Sequence, residues 1–239
     1  MTWLVLLASG CYLFGSRWKW MFGVGLALQS WYLADRGIQV GRLPLLGPHD
    51  TIILFSTCIA AAGLSCSYNR ILQSERWFLP AAGVAAGGFT LLACMFPALN
   101  IPLPQILETA WFEIHVVLAF IGYALFLLGG ILSAAYILAQ QRDWLNVQYK
   151  IALAGWSFFS VSMIAGGIWG YYAWGTYWLW TPKELWTSIL WLFYALHLHL
   201  RLKGATGDRA AAWCGIAGVV IMLFTYLGVS LLMKSSHSF

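Results

Sequence analysis

Residues 112–140 form one long apolar run in which the single charged side chain is Glu113. About 20 such residues suffice to cross the hydrocarbon core of a bilayer as a helix. The rest of the chain repeats the pattern. Apolar runs occupy roughly residues 2–15, 20–34, 50–67, 77–96, 112–140, 148–172, 182–201 and 210–233, which predicts eight transmembrane helices. Charged residues make up only 9% of the 239, too few to cover a soluble domain of this size. The expected fold is therefore all-α: a polytopic membrane protein built as a bundle of about eight transmembrane helices. The first run lacks a basic start and a small-residue cleavage site, so it reads as part of the mature chain.

The charges between the runs orient the chain. Arg17, Lys19, Arg70, Arg76, Arg142, Lys150, Arg201, Lys203 and Arg209 follow alternate spans, and Arg36, Arg42, Lys183 and Lys234 follow the others. A split of nine to four places the first set in the cytoplasm. Both termini are then expected outside. The net charge of +5 reflects this bias and needs no nucleic-acid partner. The cysteines (Cys11, Cys58, Cys66, Cys94 and Cys214) lie singly in apolar runs, with no CxxC or CxxCH among them. They read as small buried residues, not as a redox pair or a covalent haem site.

Between the sixth and seventh runs lies the most unusual stretch, residues 174–186. It packs Trp174, Trp178, Trp180, Trp186 and Tyr177 into one outward connection. An interfacial aromatic belt is the ordinary explanation for such residues. Belts spread over all helix ends, however, and this cluster sits in one loop. It also ends in a helix start, with Thr181 as N-cap, Pro182 at the first helical position and Glu184 three residues after the cap. An aromatic surface fixed to the mouth of a helix suits a large flat ligand.

Two histidines share the expected outward face with that surface. His115 sits about one turn inside the fifth run, and His237 follows the eighth. A histidine in a membrane span is by default a functional candidate. Two neutral imidazoles on opposite faces of a porphyrin make a common axial pair. His197 and His199 lie two apart on one helix, about 200° around its axis from each other, so only one can face a bundle interior squarely.

Residues Trp174-Gly175, Trp178, Trp180, Pro182-Lys183-Glu184 and Trp186 resemble the tryptophan-rich signature of the haem-handling proteins of cytochrome c assembly, in their CcsA/ResC branch. Residues 111–115 with Gly122-Tyr123-Ala124 resemble the segment carrying the first external haem ligand. Residues 226–229 with His237-Ser238 resemble the segment carrying the second. Leu198-His199-Leu200-Arg201 resembles the segment with the intramembrane histidine. The resemblance covers residues 105–239 well and the first third loosely. Its Asp after the last core Trp is Thr181 here, which keeps a capping group and loses a charge.

The resemblance implies two parts: residues 1–100 with the first four helices, and residues 101–239 as a haem-handling domain. It implies haem b held at Trp174, Gly175, Tyr177, Trp178, Trp180, Lys183, Glu184 and Trp186. His115 and His237 would serve as axial ligands and His199 as an inner one. It further implies a CcsB/ResB-type membrane partner, an apocytochrome c client with a CxxCH segment, and a bacterial inner or thylakoid membrane. No thiol or general base of the chain's own is implied. Two other readings remain: a HemX-type haem-binding regulator without ligation activity, and a transporter with an aromatic gate and no haem.

Overall fold

A computed structural model describes residues 2–100 and 104–232. All regular structure among them is helical. The helices are α1 (Thr2–Phe14), α2 (Lys19–Val40), α3 (Gly47–Cys66), α4 (Phe78–Ala93), α5 (Ala110–Ala139), α6 (Arg142–Trp174), α7 (Pro182–Arg201) and α8 (Asp208–Leu223). The last continues through a π-helical turn, Phe224–Gly228, into Val229–Leu232. The chain divides into two compact units, residues 1–108 and 109–239.

In the first unit the helices form a ring, with α1 against α2 and α4, and α3 against α2 and α4. The second unit repeats that order: α5 packs on α6 and α8, and α7 on α6 and α8. Four helical segments (Gly47–Cys66, Ala110–Ala139, Arg142–Trp174 and Gly204–Gly228) are long and apolar enough to cross a membrane. Trp3–Phe14 and Phe78–Ala93 are apolar but shorter. The protein is a multi-pass membrane protein. Many large apolar side chains face outward, Trp3, Trp31, Leu138, Ile164 and Val220 among them. Surfaces of this kind are stable against lipid and not against water.

The second apolar run was expected to end at residue 34, with Arg36 in a loop. Helix α2 instead runs on to Val40, and Arg36 is buried in it. The reason lies across the unit. Arg36 forms a two-pronged pair with Asp50 at the start of α3, Nε to Oδ1 at 3.2 Å and Nη2 to Oδ2 at 2.9 Å. Its remaining donors reach Asn100 Oδ1 at 2.7 Å and the Leu99 carbonyl at 3.0 Å. Next to Asp50, His49 donates from Nδ1 to the Ala93 and Phe96 carbonyls, and Tyr32, one turn before Arg36, donates its hydroxyl to His49 Nε2 at 2.7 Å. This polar knot ties the ends of α2, α3 and α4 together. It also removes Arg36 from the free loop charges used to orient the chain.

Removing one member of a buried pair leaves an uncompensated charge, which costs about 3–5 kcal/mol. Arg36→Met should lower stability by that order, and Arg36→Met with Asp50→Leu should recover most of it. Thermal unfolding in detergent, followed for the single and double variants, measures both.

Candidate functional site

Helix α5 begins where Thr109 caps it, its hydroxyl accepting the Phe112 N–H at 3.2 Å. His115 follows on the second turn. Its Nδ1 lies 2.8 Å from the Ser162 carbonyl of α6. A carbonyl only accepts, so Nδ1 carries the proton and Nε2 keeps its lone pair. The same serine donates its hydroxyl to the His115 carbonyl at 2.7 Å. The first bond holds the ring and its tautomer, and the second ties the backbone of α5 to α6. Metal-binding histidines are held in this way, through the ring nitrogen that does not bind the metal. Room for the ring comes from Gly166, where a Cβ would lie 2.6 Å from His115 Nδ1.

The next two glycines of α6 receive the tryptophan-rich connection. A Cβ on Gly170 would meet the Thr176 carbonyl at 3.3 Å, and one on Gly167 the Tyr177 carbonyl at 3.5 Å. The connection therefore folds back along the helix it has just left. Gly175 makes the reversal: it caps α6 in the left-handed conformation (φ 74°) and bonds its N–H to the Tyr171 carbonyl. The expected N-terminus of α7 is present in full. Thr181 accepts the Glu184 N–H, and the Glu184 side chain accepts the Thr181 N–H, a reciprocal capping box with Pro182 inside it. Glu184 Oε2 takes the Leu179 N–H at 2.9 Å as well as the Thr181 N–H at 3.0 Å. Between those residues Trp180 adopts φ 57°, a left-handed conformation rare for a bulky residue and costing about 1–2 kcal/mol.

Aromatic contacts order the surface. Tyr177 stacks on Tyr171 (centroids 4.8 Å apart, 18° between planes), and Trp174 sits edge-on to Trp169 at 4.8 Å. Trp169 in turn meets Phe112 of α5 at 5.3 Å, and Trp186 meets Phe224 at 4.5 Å. Tyr226, in the π-helical turn, packs edge-on to Phe120 at 5.0 Å. Tyr177 and Trp180 remain largely exposed, and Trp178 is half-buried. The structure thus gathers His115, Trp174, Gly175, Tyr177, Trp178, Trp180, Lys183, Glu184 and Trp186 around one end of the second unit.

His199 is elsewhere. It lies about 20 Å farther along α7 than Glu184. It faces outward and bonds its Nδ1 to the Ala195 carbonyl of its own helix at 2.7 Å. The inward-facing histidine of the pair is His197, fully buried, with Gln148 Nε2 2.8 Å from its own Nε2. Nearby, Asp208 accepts from Arg142 Nε at 2.7 Å and from Arg201 Nη1, joining the α5–α6 and α7–α8 connections. His237 lies outside the described residues. Ser162, Gly166, Gly167 and Gly170 were not singled out from the sequence. Their signal was small residues spaced along one helix, the usual mark of close backbone approach in membranes.

Residues 48–237, most of the chain, match the family of cytochrome C assembly proteins. The chain belongs to that family. It is 26% identical to a cytochrome c biogenesis protein CcsA of Synechococcus sp. (strain RCC307), over 85% of this chain and 78% of that protein. It is 27% identical to the CcsA protein of Chlamydomonas reinhardtii, over 92% of this chain and 67% of the relative. It is also 27% identical to that of Guillardia theta, over 87% and 80%. The chain is thus a membrane protein of cytochrome c biogenesis. Both the His115 segment and the tryptophan-rich connection fall inside the matched region.

The Gly166 contact gives a direct check on the imidazole. Gly166→Ala should push His115 off the Ser162 carbonyl and cost about 1–3 kcal/mol through overpacking. In a His115→Ala background the same change should cost under about 0.5 kcal/mol, because the clashing ring is gone. A thermal double-mutant cycle reads the coupling.

Proposed function

We propose that the chain is the CcsA-type subunit that binds haem b noncovalently at the end carrying the tryptophan-rich connection and presents it for attachment to apocytochrome c. The observation that carries this reading is the fixed tautomer of His115, whose Nε2 lone pair is kept for a metal beside an exposed aromatic surface. Those residues suit haem: a held neutral imidazole for the iron, apolar rings for the macrocycle, and Lys183 as a cation for an acidic substituent. Haem is the cargo, and it supplies the vinyl groups to which the two thiols of a CxxCH segment add.

The chain's own residues bind and orient. His115 Nε2 would take one axial position and His237 the other. Tyr177, Trp178 and Trp180 would cover the ring against water. Capture of the client's histidine then requires one of the two imidazoles to yield. His199, on the outer face of α7, would serve as an inner ligand only together with a residue from a partner of the CcsB/ResB type. With eight spans and both termini outside, the site faces the periplasm or thylakoid lumen. A second reading, a haem-binding regulator without ligation activity, draws on Thr181, where the related signature carries Asp.

The visible spectrum of the purified protein tests the proposal. A low-spin Soret band is expected. His115→Gly and His237→Gly should each open a position that added imidazole refills. No Soret band in the wild type ends the reading, and an unchanged spectrum in His237→Gly removes that residue as a ligand. A Soret band without cytochrome c maturation in a reconstituted host favours the regulator.

Orientation has its own check. Alkaline phosphatase fused after residue 239 should be active, and fused after Lys203 inactive. The reverse pattern would put the tryptophan-rich connection in the cytoplasm.

A further inference from the structure

Glu184 was expected to touch the ligand, yet its carboxylate is about nine-tenths buried and turned into its own loop. One oxygen, Oε2, accepts the N–H of Leu179 and the N–H of Thr181. Those two donors flank Trp180. Two amides converging on one acceptor force the residue between them into a tight bend, and Trp180 shows it at φ 57°. The side chain gives no sign of holding itself there, since Trp180 is 69% exposed. We propose that Glu184 is a positioning residue: it holds the backbone around Trp180 in the left-handed bend and thereby turns the indole out onto the haem-binding surface. The proposal rests on the haem reading for its consequence, but not for its geometry.

The capping box alone does not account for this arrangement. A box needs only the bond from the N-cap N–H to the N3 carboxylate. The added bond from Leu179 extends the carboxylate's hold past the cap to the far side of Trp180. Reach then matters more than charge. Glutamine at 184 keeps an acceptor oxygen at the same distance. Aspartate keeps the charge but is one methylene too short to serve both amides.

The test uses the full chain, purified in detergent with fluorinated tryptophan. The Trp180 fluorine resonance is assigned by its loss in Trp180→Phe. E184D and E184A should shift that resonance and leave those of the Trp156–Trp191 pair, deeper between α6 and α7, in place. E184Q should keep it near the wild-type position. Haem b titrated into each protein should bind about tenfold more weakly to E184D and E184A, and within about twofold of wild type to E184Q. A Trp180 resonance unmoved in both E184A and E184D overturns the proposal. So does an E184Q protein that keeps its resonance but loses haem as E184A does, because the charge itself would then be acting. If the wild type binds no haem, the haem reading fails and the fluorine signal alone decides the role of Glu184.

Discussion

The second unit depends on how closely α5 and α6 approach. At Gly122 a Cβ would sit 3.1 Å from the Gly155 carbonyl, and at Gly155 it would meet the Phe126 ring at 3.0 Å. Lipid gives two helices no hydrophobic reason to associate, so contact of backbone with backbone must supply the attraction. The same closeness brings Ser162 within reach of His115. Helix packing and the state of one imidazole are therefore a single fact. Widening the interface by one methyl group would take the ring off the carbonyl that holds its proton on Nδ1.

A second theme is where charge is placed. Asp50 and Asp208 are both buried, and each is matched by arginine near a helix end. Asp208 serves two arginines, one exposed and one buried. Ionised groups at membrane depth are tolerated when paired. Near the tryptophan-rich connection the pattern changes. There Glu184 accepts from two backbone amides and so orients a loop.

Local signals were legible in the sequence. The start of α7 was readable because Thr181, Pro182 and Glu184 are neighbours, and the helix spans 182–201 as expected. The apolar runs marked the other helices to within a turn or two. Arg36 misled because its partner is 14 residues away on another helix, and adjacent Asp35 and Arg36 look like a loop from inside the sequence. Of the candidate site, the aromatics and His115 stood out by type. Ser162 and Gly166 did not, because their meaning comes from the register between α5 and α6. The spacing of His197 and His199 said that one faces inward. Only packing could say that it is His197.

The polar knot of the first unit also bears on the order of assembly. Every helix of that ring lies within the first 93 residues, and its last donors and acceptors are in place by Asn100. A ribosome adding about 5–20 residues per second needs on the order of ten seconds more to make the rest. During that interval α1 can close onto α4, and the Arg36–Asp50 pair can seal, before the half that carries His115 exists. The first unit is thus positioned to fold during synthesis.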